Sequence, residues 1–161
     1  MSFEQIFSIS PLSWAGIGTS VICGSVVGLE RQLRGKPVGI RTAALIVLGT
    51  HLFIACAGLL PHADLSRIVG QVITGVGFLG AGVMLAKDGV VVGVTSAATI
   101  WALAAIGAGI TTLGEFTSIK LSILVVGILW GVDLLEDYST AFTRGVHSKY
   151  RVWKKRNGND E

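Results

Sequence analysis

Five ionisable side chains crowd into the segment Gly28-Leu-Glu-Arg-Gln-Leu-Arg-Gly-Lys-Pro-Val-Gly-Ile-Arg-Thr42, between two apolar runs. They are Glu30, Arg31, Arg34, Lys36 and Arg41. A lone carboxylate among cations can pair, gate, or join copies of itself in a ring that receives a cation. Glu30 precedes Arg34 by four residues, the favourable order for an ion pair on a helix. Arg41 and Thr42 open the next apolar run, where a cation opposes the helix dipole. Three partners are open to Arg41: Glu30, an anion held with the free N–H groups of the helix start, or lipid headgroups reached by snorkelling. Gln71, inside the third apolar run, needs a partner in hydrocarbon; it makes an interhelical hydrogen bond or marks a polar point on a permeation path. Glu30, Arg31, Arg41, Thr42 and Gln71 are therefore the candidate functional cluster.

No other set of residues presents a reaction centre. His51 stands alone in the second run, a packing residue or an isolated proton relay, while His62 and His147 lie in polar segments. No nucleophile neighbours a base, which argues against an enzyme. Cys23 and Cys56 lie in apolar runs without metal-ligand spacing and read as packing residues. Neither a metal site nor a cofactor is expected.

The elements that carry these residues are apolar. The sequence is 51% hydrophobic and 14% charged, with a mean hydropathy of +0.68, against about 25% charged residues in soluble domains. Five spans are expected, at residues 11–29, 42–60, 68–86, 95–114 and 116–135, each about 30 Å long as a helix and matched to the bilayer core. The fold class is thus an all-α polytopic membrane protein. The first helix is expected to run past its span, through Glu30 and Arg34, until Gly35 and Pro37 stop it. Placing the Gly28 to Thr42 loop in the cytoplasm puts eleven of thirteen Lys and Arg on that side, leaving Arg67 and Lys120 outside. The positive-inside rule then sets the N-terminus out and the C-terminus in. The start of the sequence has no positively charged n-region, so the first run is expected to remain as a helix rather than be cleaved.

Twenty-two glycines, roughly twice the usual ~7%, point to close helix packing. Gly24 and Gly28 form a GxxxG, and Gly70, Thr74, Gly77 and Ala81 lie on one stripe of the third span. Gly75, Gly77, Gly80 and Gly82 crowd the same span and leave open a break in the helix near mid-membrane. Gly75 to Gly80 also fits GxGxxG, but it lies inside an apolar run and lacks both the preceding strand and the later acid of a dinucleotide site. Lys87-Asp88-Gly89 signals a turn; Val90 to Val94 extend the fourth helix or enter it as an extended segment, with Thr95 or Ser96 as its N-cap. Residues 1–137 form the transmembrane domain and 138–161 a basic cytoplasmic tail, which anionic lipid would attract. The pI of about 9.1 is explained by topology and lipid, not by nucleic acid.

Taken in order, Gly28-Leu-Glu-Arg31, Gly39-Ile-Arg-Thr42, Gly75-Val-Gly-Phe-Leu-Gly-Ala-Gly82 and Thr95-Ser-Ala-Ala-Thr-Ile-Trp101 resemble the membrane domain of the MgtC/SapB family, over residues 12–135. The resemblance implies a bacterial inner-membrane protein, from a family linked to growth under magnesium limitation, to virulence, and to control of machinery such as the proton-translocating ATP synthase. Some members carry the label of magnesium transporter. Longer members end in an ACT-like cytoplasmic domain, where this sequence has its basic tail. Two functions are expected from this. One is a regulatory or interaction module that binds another inner-membrane protein, or copies of itself, within the lipid. The alternative is a transporter or channel for Mg²⁺ or another cation.

Overall fold

The computed structural model describes residues 7–62, 64–87 and 90–138. It contains five long helices: α1 (Trp14–Leu33), α2 (Ile40–Ala57), α3 (Leu65–Gly82), α4 (Val94–Leu113) and α5 (Glu115–Tyr138). Between α3 and α4 lies a two-stranded antiparallel hairpin, β1 (Leu85–Lys87) and β2 (Val90–Val92). The tail beyond Tyr138, the Asp88-Gly89 turn, His147 and the side chain of Asp133 lie outside the described residues.

Helix boundaries follow local chemistry. Ser13 caps α1 by accepting from the Gly16 N–H at 2.9 Å. The helix runs on through Glu30 to Leu33 and ends before Gly35, whose φ of +64° only glycine adopts without strain. Asp64 caps α3, accepting from the Ser66 and Arg67 N–H groups. That cap moves the third helix to Leu65–Gly82, earlier than the expected 68–86, and the helix is continuous through its glycines. The chain then turns into β1 instead of extending the span. An Asp-Gly pair between Leu-Ala-Lys and Val-Val-Val is a hairpin signal, which the apolar content of this segment hides as a continuation of the span. Helix α4 starts at Val94 with Gly93 as N-cap and no side-chain cap, so neither Thr95 nor Ser96 takes that place. Gly93 has φ +92°, and a Cβ there would run into the Val83 carbonyl. It closes the hairpin tightly onto the end of α3.

Helix α4 occupies the middle of the bundle, packing on α2, α3 and α5 and more lightly on α1. Its sequence is apolar all round, which suits a helix that packs on its neighbours with one side and turns Trp101 and Leu113 outward. Leu103, Ile100 and Ile106 from α4, Cys23 and Val27 from α1, and Val47 from α2 form the buried centre. Gly24 and Gly28 lie against α2: an added methyl on Gly24 would sit 2.7 Å from the Ala44 N, and one on Gly28 would sit 2.6 Å from the Ile40 Cα. Gly107 of α4 makes a similar approach to Val47 and Thr50. By contrast, Gly70, Gly75, Gly77 and Gly82 meet nothing within 4 Å in this chain, and Gly80 makes ordinary contact with Ala97.

The outer surface is oily. Phe78, Phe116, Leu45, Phe53 and Trp130 are all more than half exposed, an arrangement suited to hydrocarbon contact and not to water. Helices α2, α3 and α4 and residues 115–132 of α5 are each long and apolar enough to cross a membrane. Helix α1 is less apolar, carrying glycines, Ser20, Thr19, Glu30 and Arg31, and it turns most of these toward its neighbours.

Candidate functional site

The five candidate residues divide between two places. The first is the last turn of α1, where Arg31 is almost completely buried at 2% exposure. Its Nη2 donates to the Ser96 Oγ in the first turn of α4, at 3.1 Å. Glu30 Oε1 lies 2.8 Å from the Nε of Arg34, one turn on, and Oε2 lies 3.9 Å from Arg31 Nη1. The Glu30 carboxylate is thus held between two guanidinium groups, with its side chain only 9% exposed. A buried charge needs such partners. Of the two, Arg31 also ties the end of α1 to the start of α4 through Ser96. Gln32 adds a link to α2, its Oε1 accepting from the Ile40 N–H at 3.3 Å. Ser96 and Gln32 are site members that sequence reading misses. Ser96 reads locally as a cap, and only the tertiary fold carries it across 65 residues to Arg31.

The second place is a groove of about 1000 Å³ between α2 and α3, closed at its back by Ile100 of α4. Arg41 and Thr42 line one end of it, from the first turn of α2. Gln71 lines it with Arg67 from the first two turns of α3. The two helices are consecutive and joined by a short connection, so their starts lie at opposite ends of the groove. Arg41 and Arg67 therefore flank an apolar trough. Among the described residues neither makes an ion pair, and none joins Glu30 to Arg41. The acids with described side chains are Glu30, Asp64 and Glu115, all at helix ends. No group of three or more His, Cys, Asp or Glu with metal-binding geometry occurs among the described residues.

His51 is buried in α2 and pairs through Nδ1 with the Thr111 hydroxyl of α4 at 2.9 Å. This ties α2 to α4 near the end of the bundle opposite Arg31. Outside the helices' apolar stretches, the Asp64 carboxyl is held below the usual carboxylate range by hydrogen bonds from the Ser66 hydroxyl and the Arg67 and Ser66 N–H groups.

Long apolar helices around a central apolar helix, with charges confined to helix ends, define a polytopic α-helical membrane protein. Residues 17–138 match the MgtC family, and the chain belongs to that family. It is 42% identical over 122 residues to YhiD of Escherichia coli K12, provisionally named a magnesium transporter, covering 68% of this chain and 56% of that protein. An uncharacterised protein of Haemophilus influenzae Rd is 42% identical over 127 residues, covering 66% of this chain and 53% of the relative. Protein MgtC of Salmonella typhimurium LT2 is 35% identical over 107 residues, covering 66% of this chain and 46% of its own length. The chain thus spans about half the length of the curated relatives it matches. No solved structure matches it.

Proposed function

We propose that this protein is a regulatory module of the bacterial inner membrane that acts in magnesium homeostasis or stress adaptation by engaging another membrane protein, with its N-terminus outside and its C-terminus in the cytoplasm. The observation that carries the choice is the state of Glu30. A Mg²⁺ path uses carboxylates and retained water in octahedral array, and Glu30 is instead committed to Arg34 and Arg31. The other acids with described side chains, Asp64 and Glu115, stand at the starts of α3 and α5, away from mid-span. In this reading the Glu30, Arg31 and Ser96 linkage fixes the ends of α1 and α4 and so shapes the face presented to a partner. The name carried by YhiD supports the alternative, a cation transporter in which Glu30 lies at the mouth.

The test is growth under magnesium limitation, in a bacterium deleted for its own relative and supplied with this chain or its Glu30→Gln or Arg41→Gln variant. Restored growth with unchanged cellular Mg²⁺ uptake, lost in the variants although they insert normally, supports the regulatory reading. Restored growth that tracks an increase in uptake overturns it.

A further inference from the structure

The α2–α3 groove of about 1000 Å³ runs along most of α2. Helix α3 leans on α4 and touches α2 only lightly, so the two walls stand apart over their length. Gly49 on one wall and Gly75 on the other widen the space, and a Cβ on either would meet nothing within 4 Å. Leu45, Ile46, Val72 and Leu79 make the rest of the lining strongly apolar. In a bilayer such a trough does not stay empty, because unfilled space forfeits dispersion contacts on both walls.

We propose that this groove holds one anionic phospholipid of the bilayer, with its phosphate at Arg41 and an acyl chain lying along Leu45, Gly49 and Gly75. Length and charge both argue for that occupant. From Arg41 to Phe53 is about 18 Å along α2 at ~1.5 Å per residue, close to the ~15 Å of hydrocarbon in one leaflet. Charge selects the Arg41 end. Gly39 caps α2 without a side chain, and no acid occupies the first turn. The first internal bond of the helix is from the Ala43 N–H to the Gly39 carbonyl, so the N–H groups of Arg41 and Thr42 remain directed out of the helix start. Arg41, the Thr42 hydroxyl and the positive end of the dipole therefore meet an anionic headgroup together. The Arg67 end is different. There Asp64 caps α3, accepting from the Ser66 and Arg67 backbone N–H groups, so a carboxylate already occupies that helix start and repels a phosphate.

The experiment is native mass spectrometry of the full chain released from nanodiscs containing equal phosphatidylglycerol and phosphatidylcholine. Wild type is expected to retain phosphatidylglycerol about tenfold over phosphatidylcholine, because both bring a phosphate to Arg41 but the choline ammonium is repelled by the same cation and helix start. Arg41→Gln falls to near parity, Arg41→Lys keeps most of the preference, and Arg67→Gln behaves as wild type. Gly49→Leu, whose Cβ meets nothing within 4 Å and whose side chain enters the groove, loses both lipids while circular dichroism stays helical. A wild type without headgroup preference, equal losses in Arg41→Gln and Arg67→Gln, or full lipid retention in Gly49→Leu would overturn the proposal. So would a two-copy particle without lipid, which would assign the groove to a second chain.

Discussion

The approach of α1 to α2 at Gly24 sets a sharp energetic expectation. In Gly24→Ala the new methyl would lie 2.7 Å from the Ala44 N and 2.8 Å from the Ala43 carbonyl oxygen, and would overlap the Ala44 Cα. These are backbone atoms in the first two turns of α2, so no side chain can rotate away. The helices must separate by several tenths of an ångström, which loosens the buried cluster that contains Cys23, Val27, Ala43 and Val47. Overpacking of this kind costs about 1–3 kcal/mol. It is partly masked by the up to ~1 kcal/mol by which Ala is the better helix former. Gly49→Ala is the matched control, because its methyl meets nothing within 4 Å and the same propensity gain applies. The difference between the two variants therefore isolates the packing effect, and Gly24→Ala should be the less stable by about 1–3 kcal/mol. Reversible unfolding in bicelles, followed by tryptophan fluorescence, measures this difference. Equal stabilities would show that α1 and α2 do not meet through this face.

Ser96→Ala should destabilise the protein by about 1.5–3 kcal/mol, since it removes a buried acceptor from a guanidinium; a variant that unfolds with wild type would show that the Arg31 to Ser96 bond is absent in the membrane. Gly93→Ala forces a side chain into φ +92° against the Val83 carbonyl. It should cost about 1–3 kcal/mol from backbone strain alone, visible as faster hydrogen exchange in β1 and β2, and unchanged exchange would remove the tight closure. The depressed Asp64 carboxyl contributes to the start of α3 above its ordinary value of 3.8. That contribution is lost as pH falls through the lower folded value, so protection of the Ser66 and Arg67 amides should drop in acid in wild type but stay flat in Asp64→Asn.

Helical periodicity and charge placement make much of this architecture legible in the sequence. The run of α1 past its apolar stretch follows from the spacing of Glu30 and Arg34, and its stop follows from Gly35. The four-residue spacing of Gly24 and Gly28 is visible as well, whereas their placement against Ala44 and Ile40 is a tertiary fact. The hairpin before α4 is masked because leucine, alanine and valine read alike as span and as strand. The candidate cluster is least legible. Sequence proximity joins Glu30 to Arg41, but the fold turns Glu30 toward Arg34 and Arg31 and sets Arg41 on the groove. The Arg31 partner is Ser96, and no local pattern links positions so far apart. Gln71 shares the groove with Arg41 but stands near its other end, which only the antiparallel pairing of α2 and α3 reveals.

Mg²⁺ flux bears most directly on the regulatory reading. The purified chain, shown to be helical and inserted, would be reconstituted in liposomes carrying a Mg²⁺ indicator and compared with Glu30→Gln and with empty vesicles. A Glu30 carboxylate committed to Arg34 and Arg31 implies no influx above the empty vesicles in either protein. Saturable influx in wild type that disappears in Glu30→Gln would contradict it and make Glu30 the mouth of a transport path.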